Sequence, residues 1–301
     1  MKRLCDYGIP LLDKNLTGMM GGDLVVVGAM SGTGKTTLAN SLAMSASSQG
    51  ISTALFSLEN AAGDWKRQMV FTEFKQWVPN QMSYREFLNV YSSNPSLFER
   101  YEEKVNQILS QERDGVPLFY LVESTDGIKD LKTLLERVKA CIDAGKQVIV
   151  IDHIDHVSND ARADLQFIRT AMKELAELAF NRDVCIITFS QIRKDLPPGV
   201  MCPGMYDLKG GSPKTDVASV VITMARDPFF DDPEQGKFAT LMAIRKDRYG
   251  KLAMGRLFWK NGVYEQDYKQ IESFDANGYI VDGLSKDKLA LAAKQIGLKN
   301  V

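Results

Sequence analysis

The sequence predicts an α/β protein: a mainly parallel, twisted sheet flanked by helices, with antiparallel strands towards its C-terminal side. Three observations predict it. Apolar runs rich in valine and isoleucine alternate with amphipathic helical stretches from residue 23 to residue 191, the pattern of strands joined by helical crossovers. A glycine-rich loop, "GAMSGTGKTT" at 28–37, separates the first such run from the first long helix. After residue 216 the apolar runs follow one another closely with no helical stretch between them, a spacing that suits antiparallel pairing.

Each element can be justified in order. An arm over 1–20, "MKRLCDYGIPLLDKNLTGMM", holds a short amphipathic piece before Gly21 and Gly22. "DLVVVGA" (23–29) is apolar on both faces, as a buried parallel strand is, and a helix over 36–50 closes on Gly50. A second strand covers 52–58, followed by a helical segment over 63–116 broken at Pro79 and Pro95. Strands at 117–122, 147–152 and 184–191 alternate with helices at 128–145 and 165–181. A Gly- and Pro-rich loop (193–216) leads to strands within 217–226, 238–248 and 253–266, the last carrying a "KNG" hairpin signal. A helical piece, "KDKLALAAKQIG" (286–297), lies in the 272–301 tail.

With 301 residues, 45% hydrophobic and 25% charged, the chain can bury one large core or two modest ones. No internal linker is evident, so a single domain over 1–301 is expected. Lys+Arg of 37 against Asp+Glu of 38 leaves a formal charge of -1; any nucleic-acid surface must therefore be local, in a loop or channel. Four cysteines lack paired metal spacing, and Cys141 and Cys185 lie in apolar segments as buried thiols do. No signal peptide and no apolar run of about 18 residues occurs, so a reduced cytoplasmic protein with no membrane partner is expected.

The chemistry gathers at strand ends. The phosphate-loop pattern G-x-x-x-x-G-K-[ST] is matched over 29–36, opening on Ala29 with Gly28 just before it. Ser31, Gly32, Thr33 and Gly34 supply a backbone that can wrap a phosphate, Lys35 can reach the β- and γ-phosphates, and the Thr36 hydroxyl can hold Mg²⁺, with Thr37 beside it. Asp152 ends the strand "VIVID", where ligands of a parallel sheet collect; alone it could cap the following turn, but beside the phosphate loop it is expected to be the partner carboxylate for that metal. Glu59 ends "ALFSLEN"; it can orient and deprotonate a water, or cap a helix starting near Ala61. Gln191, at the end of the fifth strand, can donate to a γ-phosphate or be ordinary polar surface. His153 and His156 in "DHIDH" invite a metal reading with Asp152 and Asp155, but the segment leaves a strand without a helical pattern. His153 therefore fits better as a neighbour of the Mg²⁺ site.

These pieces in this order resemble the RecA-like ATPase domain of the DnaB-type replicative helicases, a core shared with phage helicases and the mitochondrial helicase Twinkle. The resemblance rests on "GAMSGTGKTT", "FSLEN", "VIVIDHI", "AMKELAELAFNRDVCIITFSQIRK", "DLKGGSPKTDVASVVITMARDP" and "AIRKDRYGKLAMGRLFW", and spans roughly 10–267. It implies a RecA-like P-loop NTPase fold, ATP and Mg²⁺ as ligands, Glu59 as catalytic base, Asp152 as the Mg²⁺-associated carboxylate and Gln191 as γ-phosphate sensor. Lys246 and Arg248 match the basic pair that such helicases insert into the neighbouring subunit's site, Arg248 as the finger on the transferred phosphoryl group. From the residues alone, "IRKDRYGK" would be a charged hairpin on a solvated face.

"DLKGGSPKTD" (207–216) matches the loop that holds single-stranded DNA, with Lys209 reaching phosphates and Gly210 and Gly211 offering backbone N–H groups. Relatives often carry arginine at Lys209 and a longer polar residue at Gly210. Arg162, in the loop after Asp152, is a weaker second candidate. The implied partners are single-stranded DNA, further copies of the chain in a hexameric ring, and a primase, loader or polymerase, in the cytoplasm of a bacterial or phage-infected cell. The implied function is an ATP-dependent helicase motor. The alternatives are a RecA- or KaiC-like DNA-binding ATPase without unwinding, and a nucleotide-stabilised assembly or loader subunit. DnaB-type proteins carry an N-terminal helical domain and the phage and Twinkle types a primase-like module; here the ATPase core is expected to begin almost at once, with neither.

Overall fold

In the computed structural model, residues 1–61, 63–78, 82–123, 126–128, 130–156, 164–193 and 202–271 are described. Arg162 and the helical piece expected at 286–297 lie outside them.

The arm pairs β1 (Arg3–Cys5) with β2 (Met19–Met20) across the short helix α1 (Pro10–Asn15). The chain then lays down β3 (Leu24–Ala29), α2 (Lys35–Ser48) and β4 (Thr53–Ser57). Next come α3 (Asp64–Trp77), α4 (Tyr84–Ser93), α5 (Glu99–Leu109) and a small hairpin of β5 (Glu112–Arg113) and β6 (Val116–Pro117). That hairpin, unexpected from the sequence, turns on Asp114 and Gly115, whose φ of 53° and 77° suit a tight turn between twisted strands. β7 (Phe119–Glu123), α6 (Leu131–Asp143), β8 (Val148–Asp152), α7 (Asp164–Arg182) and β9 (Cys185–Gln191) complete the alternating part. The short helix α8 (Ser212–Asp216) precedes β10 (Val220–Arg226), β11 (Lys237–Asp247), β12 (Ala253–Lys260) and β13 (Val263–Ile271).

Among the described residues, nine strands form the main sheet in the order β13-β12-β11-β10-β3-β9-β8-β4-β7. The pairs from β10 to β13 are antiparallel, as their close spacing predicts. Spacing could not predict the other edge of β10, which runs parallel to β3 and so joins the hairpins to the parallel half. Asn261 and Gly262, with φ of 49° and 91°, make the two-residue turn between β12 and β13.

Both faces of the sheet are covered at its centre, so β3, β4 and β8 are buried along their whole length, whereas the edge strand β13 is largely polar and partly exposed. Val25 and Val27 face a core shared with Leu38 and Leu42 of α2 and the aromatic helices α3–α5. Leu24 and Val26 face one shared with Leu134 and Val138 of α6 and Met172 and Leu175 of α7. All four cysteines are buried and free, and no helix among the described residues is long and apolar enough to cross a membrane.

Candidate active site

The loop after β3 has the backbone its glycines allow. Gly32 and Gly34 adopt φ of 76° and 91°, a region costly for residues with a Cβ, and Gly34 opens α2. No Cβ contact would form within 4 Å at Gly32, so its constraint is conformational. Ser31 is exposed at the tip, while the Thr33 hydroxyl donates to the Met30 carbonyl at 2.7 Å. The Lys35 ammonium donates to the same carbonyl at 3.2 Å. Lys35 is thus folded over its own loop, at the positive end of a helix where anions bind.

Sheet order brings the remaining groups beside it. Ala29 pairs with Gln191 across β3 and β9, and Ser57 with Asp152 across β4 and β8. The carboxyl ends of four neighbouring strands therefore carry the phosphate loop, Gln191, Asp152 and Glu59. Asp152 is 2% exposed; burial, with Glu59 adding, pushes its carboxyl up to about 6 against the Thr36 hydrogen bond and the Lys35 charge. Its Oδ1 is buried without a partner among the described residues. A hydroxyl beside a buried, unsatisfied carboxylate oxygen is a fitting donor set for Mg²⁺, a hard cation that takes oxygen ligands.

Glu59 is not a helix cap. Gly63 caps α3 and donates its N–H to Glu123 at 2.7 Å, whereas the half-exposed Glu59 carboxylate lies 3.2 Å from His153 Nε2. The same Nε2 is 3.4 Å from the Gln191 side-chain nitrogen. One ring nitrogen can donate to the carboxylate or accept from the amide, so the imidazole satisfies these neighbours one at a time. His153, next to Asp152 in the chain, is therefore in contact with both the expected base and the expected sensor.

The 207–216 loop lies against this edge. Lys209 is exposed, and its backbone N–H donates to the Gln191 carbonyl at 2.7 Å. Gly210 and Gly211 have φ of 85° and 68°, and Gly210 lies close over Lys214 and Ile168. Lys214, which the sequence did not single out, is 1% exposed and ion-paired with the buried Asp155. Burial pushes its ammonium down, with Asp155 opposing.

Lys246 and Arg248 sit elsewhere. Val220 of β10 pairs with Asp247 on one side and with Val25 on the other. The basic pair is therefore at the amino end of β3, about 13 Å or more along the strand from its exit into the phosphate loop. Lys246 donates within its own chain, to the Thr215 and Asp216 carbonyls at 2.8 and 3.1 Å.

A phosphate loop and three polar residues on adjacent ends of a parallel sheet, extended by antiparallel hairpins, define a RecA-like P-loop fold. Residues 5–267 match the DnaB-like helicase C terminal domain, and the chain belongs to that family. The replicative DNA helicase DnaB of Treponema pallidum is 25% identical over 248 residues, covering 81% of this chain and 51% of that protein. The chain spans about half the length of the curated relatives it matches. A solved ATPase domain superposes with a TM-score of 0.68 at 18% identity, over 87% of this chain and 91% of that one. A DnaB-like replicative helicase, solved with its interactions with primase, gives a TM-score of 0.62 at 18% identity over 87% and 62%. Both share the fold.

Proposed function

We propose that this chain is the ATP-driven motor of a replicative helicase, acting on single-stranded DNA as a ring, most simply a hexamer. The observation that carries the reading is the division of polar groups between two ends of one sheet. The phosphate loop, Asp152, Glu59 and Gln191 share the carboxyl edge, while Arg248 lies at the amino end of β3, out of reach of its own site. Arg248 can serve catalysis only in a neighbouring copy, so the complete site is composite.

In this reading the loop amides and Lys35 hold the phosphates, with Thr36 and Asp152 as the residues that would hold Mg²⁺. When bound, Mg²⁺ neutralises charge on the phosphate oxygens. Glu59 turns from His153 to orient the attacking water and take its proton, and Gln191 reports the γ-phosphate. Arg248 of the next copy stabilises charge on the transferred group. Lys209, Gly210 and Gly211 grip the DNA backbone without reading bases, so binding weakens steeply with salt. A primase is the proposed protein partner, in the cytoplasm of a bacterial or phage-infected cell.

Steady-state ATP hydrolysis with and without oligo(dT), across protein concentration, tests the reading. Stimulation of about tenfold or more that rises cooperatively with protein is expected, together with unwinding of a forked duplex. Hydrolysis indifferent to DNA overturns the motor reading; stimulation without unwinding overturns the helicase part.

A further inference from the structure

One buried charge pair lies between the hydrolytic site and the DNA-facing loop, and neither of its members touches phosphate chemistry directly. The Lys214 ammonium, from inside the loop, reaches down to Asp155 Oδ1 and to the Ser190 hydroxyl, the latter at 2.8 Å. Lys214 and Asp155 have side chains 1% and 3% exposed. Asp155 Oδ2 accepts the Gln191 backbone N–H at 2.7 Å and lies 3.8 Å from His153 Nδ1. On its other side His153 meets Glu59 at 3.2 Å. Gln191 is held by both systems, its N–H by Asp155 and its carbonyl by the N–H of Lys209.

We propose that Lys214 is a positioning residue that couples the 207–216 loop to the hydrolytic carboxylate Glu59 through Asp155 and His153. The inference rests on the reading of the chain as a DNA-stimulated ATPase. Lys214 cannot serve as a phosphate contact where it stands, because its whole side chain is under the loop. Nor can the loop shift independently of Asp155, since separating a buried pair leaves an uncompensated buried charge. A DNA strand that displaces Lys209, Gly210 and Gly211 therefore drags the pair with it. Asp155 moves the Gln191 backbone and the imidazole together, and His153 releases Glu59 to the attacking water. In the reverse direction, a γ-phosphate that draws Gln191 pulls on the loop from the same point. DNA contact and hydrolysis are then two ends of one mechanical link.

The test compares wild type with Lys214→Met and with the double variant Asp155→Asn, Lys214→Met. The single variant strands a buried carboxylate and is expected to lose thermal stability. The double variant removes the charge pair while the introduced amide oxygen can still accept from the Gln191 N–H, and is expected to recover most of the lost Tm. For the double variant, kcat in saturating oligo(dT) should fall about tenfold or more towards the DNA-free rate. The KM for ATP and the half-saturating oligo(dT) concentration should stay within about threefold, a split that a merely structural role would not produce. A refolded double variant stimulated as strongly as wild type overturns the proposal alone, leaving the ATPase reading intact. A double variant that loses oligo(dT) affinity in step with stimulation also overturns it, making Lys214 a DNA-binding element. A wild-type chain whose hydrolysis ignores oligo(dT) overturns both the proposal and the reading beneath it.

Discussion

The Lys246 ammonium donates to the Thr215 carbonyl at 2.8 Å, so the end of β11 that bears the basic pair also holds the C-terminal end of α8 in its own chain. Carbonyls at a helix end have no intrahelical partner and carry partial negative charge, which a cation satisfies. Burial, with Arg248 adding, pushes the Lys246 ammonium down, as expected of an amine packed against backbone. Two residues that resemblance assigns to one trans-acting role thus have different surroundings: Lys246 is engaged within the subunit, and Arg248 is exposed.

They should separate on mutation. Lys246→Ala frees the end of α8 and is expected to weaken oligo(dT) binding about fivefold or more. Arg248→Ala should leave that binding within about twofold while cutting DNA-stimulated hydrolysis by about 10³ or more, the scale of an arginine finger. Fluorescence anisotropy on labelled oligo(dT), run beside a hydrolysis assay, measures both. Equal losses of DNA affinity in the two variants would refute the division of labour.

Lys35→Ala should abolish hydrolysis, by about 10³ or more, because no other cation in the loop reaches the terminal phosphates. Lys35 bridges to Met30, but Thr33 makes a second bond to the same carbonyl. The empty loop should therefore keep its shape, with Tm changing by about 2 °C or less. A binding titration with a fluorescent ATP analogue and a melting curve distinguish lost phosphate affinity from lost fold.

What was legible in the sequence follows the range of the interactions concerned. The phosphate loop is local: strand, glycines, Lys35 and helix are contiguous, and its physics is written in ten residues. Asp152, Glu59 and Gln191 could be placed because strand ends of a parallel sheet share one edge, although nothing local ordered those strands. Lys214 could not be found this way. A lysine in "GGSPKTD" reads as solvated, and only its approach to Asp155, 59 residues away in sequence, makes it a buried ion. Asp155 itself was visible only as part of a metal reading of "DHIDH". The parallel pairing of β10 with β3 was hidden for a related reason, since close spacing speaks for the β10–β11 neighbour and is silent about the other edge.

Asp23 offers a pH-dependent test. It is buried at the start of β3, and burial with the Asp247 charge raises its carboxyl against the Ser219 hydroxyl and Arg248. A carboxyl raised in the folded state holds its proton more tightly there than in the unfolded chain. Its penalty is absent below the ordinary carboxylate range and grows as pH rises through the folded value. Asp23→Asn should therefore raise Tm at pH 8, by a few degrees for about 1 kcal/mol, and lose that gain as pH falls below the ordinary carboxylate range. A gain at low pH alone would reverse the sign of the argument.

Gly262 ties the last hairpin to the helical segment. A Cβ there would meet Thr72 Cγ2 at 2.6 Å and the Thr72 carbonyl oxygen at 3.1 Å, on a backbone with φ of 91°. Gly262→Ala therefore meets both a conformational penalty and a backbone clash, and is expected to cost about 1–3 kcal/mol. Asn261→Gly, at the neighbouring position of the same turn, should be nearly neutral. Denaturant melts of both variants give the comparison, and equal effects would mean that the turn rather than the contact with α3 sets the cost.

The composite site makes the sharpest demand on assembly. Glu59 and the phosphate loop lie on one sheet edge, and Arg248 lies about 13 Å or more away at the other end of β3, so in the proposed reading each site takes residues from two copies. Glu59→Gln and Arg248→Ala proteins should each be inactive as pure oligomers, because every interface then lacks one group. Mixed before assembly, they form some interfaces in which an intact Glu59 edge faces an intact Arg248. A random equimolar mixture makes that arrangement at one interface in four, since each side is intact with a chance of about one half. Hydrolysis should therefore recover to about a quarter of the wild-type rate per chain if sites fire independently, and to less if firing is sequential around a ring. The dependence on mixing ratio separates these cases: independent sites follow the product of the two fractions, whereas coupled ones fall off more steeply. Mixing after assembly, without subunit exchange, should restore nothing. If the premixed oligomers stay as inactive as the parents, Arg248 does not complete a neighbour's site, and the opposite placement of the two groups must serve another purpose.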